Sequence, residues 1–255
     1  MTNSPLSRMV DFELRFARRQ ATHVDPVPGG FAARHEDFPA SHNNNRLLIT
    51  EPAAPSDVLD AAGDKLGDLQ HRLITVYDDM LGTEFADAAT AAGYQHVPLV
   101  AMSYTGDTPP APAVPVEAVD VASLITSLRW ELRLLLPDAP ESRIDQLARR
   151  VAVREKGASS VEFLGVIEDD RRVLARVDLY LEDDIAQLEY VATAPEHRGH
   201  GYARAVVHEG LRRARAAGCG LIFLFAEEQD WPSRWYGRLG FSPVGRIHEF
   251  TREGH

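Results

Sequence analysis

The residues whose types and spacing can do chemistry lie close together, in the stretch EYVATAPEHRGHGYA at 189–203. A strand-like pattern ends at Ala194-Pro195, a short loop with one arginine and two glycines follows, and an amphipathic helix begins at once. The first amides of a helix have no partner inside it and lie at the positive end of its dipole, so such a loop is a ready anion site. Gly199 and Gly201 let the backbone come close to a phosphate, and Arg198 adds charge. Two other phosphate loops do not fit. A G-x-G-x-x-G turn needs glycine where Arg204 stands and a strand-helix-strand unit around it, and a Walker loop needs G-K-[ST]. An ordinary glycine turn into an amphipathic helix stays open on spacing alone.

Around this loop stand further candidates. Glu189 offers a carboxylate with an ordinary pKa of about 4.3, which burial must raise before it acts as a base near neutrality. Its plainer role is a strand glutamate facing solvent or paired with an arginine. On an alternating strand Glu189, Val191 and Thr193 share one face and Tyr190 and Ala192 the other. Tyr236 places a phenol on a short helix, where the plainer role is packing with its hydroxyl bonded nearby. His197 and His200 flank Arg198-Gly199, but there is no H-x-x-x-H pair on a helix face and no cysteine beside them, so no metal site is expected. Cys219 reads as a small buried residue, and at least one of Trp231 and Trp235, four apart, is expected in the core.

The elements that position these groups follow from periodicity. The spacing predicts a short strand at 116–119 and a helix through Val121, Leu124, Ile125, Leu128, Leu132 and Leu135 that ends before Pro137. A weaker helix spans 141–155. Strands follow at 160–167, 172–181 and 185–193, with acidic turns at 168–170 and 182–184 that suit antiparallel hairpins. A helix at 201–217, a strand at 221–225, a short helix capped by Asp230 and a last strand at 241–252 complete the series. That is an α/β order, β-α-α-β-β-β-α-β-α-β, with the last strand closing its own sheet. Earlier in the chain, a helix is expected at 5–22 and strands at 30–35 and 46–50. A helix at 57–66, a strand at 71–77, a helix at 84–93 and a strand at 97–103 follow. The second part of this run repeats the β-α-β-α-β order without any repeat at the level of residues.

TGDTPPAPAVP at 105–115 holds four prolines, which fix φ and remove amide donors, so neither helix nor central strand continues there. The expected organisation is a first domain at 1–104, a stiff linker at 105–114 and a second domain at 115–255. Across 255 residues the apolar fraction is 44% and the charged fraction 25%, values of a globular chain. A net charge of −11 argues against nucleic-acid binding, which wants a basic stripe. No apolar run approaches the ~20 residues of a membrane span, and the N-terminal segment lacks the apolar core of a secretory signal. A single cysteine allows no internal disulfide, which fits a reducing cytoplasm.

On its motifs the second half resembles the GCN5-related N-acetyltransferase (GNAT) superfamily. The pyrophosphate motif Q/R-x-x-G-x-G/A is matched by Arg198, Gly199, His200, Gly201, Tyr202 and Ala203, and the pattern before it by Val191, Thr193, Pro195 and Arg198. The helix signature aromatic-Tyr-x-x-x-Gly-Phe appears as WYGRLGF at 235–241. The resemblance implies the acyl-CoA N-acyltransferase fold, a mixed, mostly antiparallel sheet flanked by helices. The first half is then a degenerate copy in tandem, since PAAPS replaces the phosphate loop after the strand at 46–50. It also implies acetyl-CoA as co-substrate, held by Val191, Thr193 and the loop from Arg198 to Ala203, and a small-molecule amine as acceptor. By the same carry-over Tyr236 protonates the leaving thiolate, Glu189 is the base, directly or through water, and the Val191 amide polarises the carbonyl. The chain is expected to work as a monomer or homodimer; the competing reading is a CoA-binding sensor that has lost transfer.

Overall fold

The computed structural model describes residues 4–168 and 172–254. The turn residues Asp169 and Asp170 lie outside the described residues. The backbone divides into two compact units, Met1–Met102 together with Phe225–His255, and Ser103–Leu224.

The first unit opens with helix α1 (Pro5–Gln20), whose Ser4 side chain accepts from the Ser7 amide and whose Met9, Phe12, Phe16 and Ala17 are buried at helical spacing. Strands β1 (His23–Val27), β2 (Gly30–Arg34) and β3 (Arg46–Ile49) form an antiparallel meander. Helix α2 (Pro55–Leu66) then crosses to β4 (His71–Val76), which lies parallel to β3. Helix α3 (Asp79–Ala91) and β5 (Gln95–Tyr104) follow. β1 escaped the sequence reading because it holds Pro26; at the sheet edge the missing amide costs no ladder bond. α3 starts earlier than the sequence suggests, because the Asp78 carboxylate caps it by accepting from the Leu81 amide at 2.9 Å.

The second unit repeats this order of pairings. β6 (Glu117–Ala118) edges the sheet, and α4 (Val121–Leu135) is capped by Asp120 on the Ser123 amide. α5 (Glu141–Arg149) tightens into a 3₁₀ segment, Arg150–Lys156, where the sequence suggested one continuous helix. β7 (Ser160–Ile167), β8 (Val173–Glu182) and β9 (Ile185–Thr193) are antiparallel. α6 (Tyr202–Ala216) crosses to β10 (Leu221–Glu227), parallel to β9. Val119, Leu124, Leu128, Ala148, Val151 and Phe163 form one buried cluster beneath α4 and α5.

Helix α7 (Trp231–Arg238) and β11 (Phe241–Glu253) return to the first unit. β11 was expected to complete the sheet of the second half. It instead pairs antiparallel with β4, His248 opposite Val76 through Glu253 opposite His71, and Phe250 is buried among Leu47, Ile74 and Phe85. The compact units therefore divide the chain differently from the 105–114 boundary. The β-α-β-α-β order is present twice, as β3-α2-β4-α3-β5 and β9-α6-β10-α7-β11. Together the pairings make a mixed, mostly antiparallel arrangement flanked by helices.

Candidate active site

Val191, Thr193, Glu189 and the loop from Arg198 to Ala203 all lie in the second unit, on β9 and the turn into α6. Leu221–Phe223 pair with Ile185–Gln187, and the β9–β10 ladder stops there, so Glu189 and Val191 stand beyond the last paired rung.

β9 does not alternate evenly. Asp178 faces Glu189 and Arg176 faces Ala192, which leaves Tyr190 and Val191 opposite Val177 alone. Tyr190 takes φ +53°, a conformation uncommon for a residue with a side chain. The bulge corrects the expected faces. Glu189 now shares a face with Ala192, Asp178 and Arg176, while Thr193 shares the other with Ala175, Leu179 and Leu188. Val191, in the bulge, has no rung of its own in the β8 ladder.

Charged residues that sequence reasoning missed surround this bulge. Asp178 is fully buried and pairs with the Arg154 guanidinium at 2.6 Å. The Tyr180 hydroxyl donates to the same carboxylate at 2.9 Å; burial, then the Asp178 charge, push that phenol well above its ordinary pKa and keep it a donor. Arg154 lies over the Tyr190 ring, 3.6 Å from its centroid. Arg176 donates to the Tyr190 carbonyl at 3.3 Å and pairs with Glu131 at 3.2 Å. The signal available in the sequence was the pair Arg176 and Asp178 inside an otherwise apolar strand. Glu189 is half-buried and accepts from the Gln187 amide group at 2.9 Å. On the same face a cavity of about 520 Å³ opens against α4, walled by Ser127, Trp130, Glu131, Arg172, Arg176 and Ala192.

The loop after β9 has the geometry of an anion cradle. Pro195–His197 make one 3₁₀ turn, and the Arg198 amide closes it by donating to the Pro195 carbonyl at 3.3 Å, which removes Arg198 from the expected set of free amides. Gly199 and Gly201 both take left-handed φ, +82° and +81°, and a Cβ built on either would meet no protein atom within 4 Å. The Ala205 amide is the first to bond within α6, to the Gly201 carbonyl at 3.1 Å, so the Tyr202, Ala203 and Arg204 amides point out of the helix end. Arg198 is exposed and its Nε donates to the Thr193 carbonyl at 3.4 Å. His200 places Nδ1 by the carbonyls of His197 and Arg198 and stacks on Tyr202 at 5.6 Å. Thr193 Oγ1 is buried without a hydrogen-bond partner among the described residues. Cys219 is buried, and that burial, with Asp184 nearby, raises its thiol pKa.

The equivalent place in the first unit is closed. The Thr50 and Glu51 amides donate to the Gly29 carbonyl at 2.9 and 3.0 Å. α2 begins with Pro55, which has no amide to offer. The Asp57 and Val58 amides both donate to the Ala54 carbonyl, at 3.0 and 3.2 Å.

Tyr236 lies on α7, in the first unit, with the Asp230 carboxylate accepting from the Trp231 amide at the helix start. Its side chain is 9% exposed and packs edge-on against Phe241 at 5.7 Å. Trp231 is exposed and Trp235 half-buried, so Tyr236, not a tryptophan, is the inward residue of this helix.

Residues 126–241 match the family model described as the acetyltransferase (GNAT) family. The N-acetyltransferase Eis of Mycobacterium tuberculosis (strain ATCC 25177 / H37Ra) is 33% identical over 102 residues, 40% of this chain and 24% of that protein. The match thus spans about a quarter of the curated relative's length. Among solved structures, a GCN5-related N-acetyltransferase from Kribbella flavida covers 100% of this chain and 98% of its own, with TM-score 0.65 and 14% identity. A conserved protein of unknown function from Staphylococcus epidermidis ATCC 12228 covers 92% and 95%, with TM-score 0.67 and 12% identity. At these identities the likeness is one of fold, and it extends over both halves of the chain. Among the described residues no helix is long and apolar enough to cross a membrane.

Proposed function

Because the chain is a member of the GCN5-related N-acetyltransferase superfamily of acyltransferases, we propose that it transfers the acetyl group of acetyl-CoA to an amine of a small molecule. The transfer proceeds by direct attack in a ternary complex. The observation that carries this reading is the loop at Gly199–Ala203: two left-handed glycines, open space at both Cβ positions and helix-terminal amides facing outward. A pyrophosphate fits that donor set, and Thr193 Oγ1 and the exposed Arg198 are further groups for acetyl-CoA to engage. His200 and Tyr202 line the same turn.

The chemistry asks for three things, and this chain has a candidate for each. The amide of Val191, which sits in the bulge, is the donor for the thioester oxygen as it gains charge. Glu189, half-buried on the cavity face, takes the proton of the attacking ammonium directly or through water. Tyr236 is assigned the return of a proton to the leaving thiolate on its motif. We place the protein in the cytoplasm, as monomer or homodimer, its one cysteine being buried and unpaired.

The test is ligand-dependent stability. Acetyl-CoA at a hundredfold excess over its Kd should stabilise by about 2.7 kcal/mol. At roughly 2–4 °C per kcal/mol for a chain of this size, that is a shift of about 5–11 °C. No shift with millimolar acetyl-CoA, together with a shift from a nicotinamide dinucleotide, contradicts the reading.

A further inference from the structure

Resting on that reading, we propose that Arg154 is a positioning residue: its guanidinium clamps Tyr190 in the left-handed conformation that takes the Val191 amide out of the β-ladder and aims it at the thioester carbonyl. The backbone at this point is unusual. Tyr190 holds φ +53°, and nothing about a tyrosine prefers that conformation. Such a residue persists only where its surroundings over-determine it.

The surroundings here are specific. The Arg154 guanidinium covers the Tyr190 ring at 3.6 Å, and Arg150, from the turn before, stands 5.7 Å from the same centroid. Arg154 is 5% exposed and is itself fixed from behind by Asp178, at 2.6 Å, whose carboxylate also accepts from Tyr180. The backbone is gripped separately, since Arg176 donates to the Tyr190 carbonyl at 3.3 Å. The ring and the carbonyl of one strained residue are therefore held by two cations from different elements, the 3₁₀ segment at Arg150–Lys156 and β8. Two successive residues, Tyr190 and Val191, face a single Val177 as a consequence. If the clamp loosens, Tyr190 relaxes to negative φ, and the Val191 amide turns back toward β8.

Arg154 touches none of the reacting atoms in this account, so its effect must be read on the carbonyl. Acetyl-CoA labelled with ¹³C at the acetyl carbonyl is bound to the full chain and its stretch followed by infrared difference spectroscopy, beside initial rates. For the wild-type chain the band is expected at lower wavenumber than for free acetyl-CoA. In Arg154→Lys, which keeps the charge facing Asp178 but loses the planar stack, the band moves back toward the free position. kcat then falls at least tenfold, toward the ~10²–10³ of a lost oxyanion donor, while KM for acetyl-CoA stays within about threefold. Tyr190→Leu, which leaves the Arg154–Asp178 pair alone, behaves the same way, and Tyr190→Phe, which restores the ring, recovers the wild-type band.

A merely structural role would lower the melting temperature and raise KM while leaving the band of the bound fraction in place, and that result overturns the proposal. So does a wild-type band at the free position. Failure of the acetyltransferase reading looks different: the wild-type chain then binds no acetyl-CoA and yields no bound band.

Discussion

Replacing Gly201 with valine separates the cost of a strained backbone from the cost of a blocked ligand. Gly201 caps α6 at φ +81°, and a Cβ there meets no protein atom within 4 Å. The Cβ itself therefore meets no collision inside the protein, and the folding cost taken is that of one left-handed L-residue, about 1–2 kcal/mol. For a chain of this length that lowers Tm by roughly 2–8 °C. The same open space is where a pyrophosphate oxygen has to come. Hydrogen bonds to a charged group are worth about 1.5–3 kcal/mol each, so two lost bonds weaken binding by about 3–6 kcal/mol. That is roughly 10²- to 10⁴-fold in Kd. A matched control exists at the other end of the same helix. Gly218 has φ +85°, is exposed and also has open space at its Cβ. Gly218→Val should show the same loss of Tm and no loss of acetyl-CoA affinity by isothermal titration calorimetry. Equal affinities for the two variants would refute the phosphate cradle.

Three other perturbations test separate parts of the account. Tyr236→Phe keeps the ring against Phe241 and removes one proton donor, so kcat should fall by about 10²- to 10⁴-fold with acetyl-CoA affinity little changed; an unaltered kcat removes Tyr236 from the chemistry. Asp178→Ala leaves the buried Arg154 without its carboxylate and should cost about 3–5 kcal/mol in urea denaturation, whereas a loss under about 1 kcal/mol contradicts the buried pair. Burial first, and the neighbouring His248 second, lower the pKa of His96. Its unfolded form then binds the proton more readily, so stability is complete above about pH 6.5 and declines as pH falls below it. In His96→Gln the melting temperature should depend less on pH between 7 and 5, and an unchanged slope dissociates His96 from it.

Where local pattern and tertiary packing agreed, the sequence was readable. β7, β8 and β9 were legible because short acidic turns separate three apolar runs, and α6 because Val206, Val207, Leu211 and Ala214 mark its buried stripe. The loop at Arg198–Ala203 was legible for a different reason: glycines at left-handed positions leave a compositional trace. The bulge left none. Tyr190 adopts a glycine-like φ because Arg154 and Arg176 hold it there, and those contacts join positions far apart in sequence. Reading strict alternation through it put Glu189 and Thr193 on one face, when a single extra residue sends them to opposite faces. β11 failed on the same ground. Its apolar pattern says that it pairs, but the choice of β4 as partner is made by the packing of Phe250 against Leu47, Ile74 and Phe85. β1 was hidden by Pro26, a residue that argues against a strand everywhere except an edge.

The central claim is that this chain moves an acetyl group, and amide formation measures that most directly. The full chain is incubated with acetyl-CoA and a panel of small-molecule amines, free thiol is followed continuously, and the products are weighed by mass spectrometry. The account predicts thiol release that depends on an amine, with an acceptor heavier by one acetyl group in equal amount, and loss of both signals in Gly201→Val. Tight binding of acetyl-CoA with no amine-dependent thiol and no acetylated product across the panel would contradict it, and would make the protein a CoA-binding sensor instead.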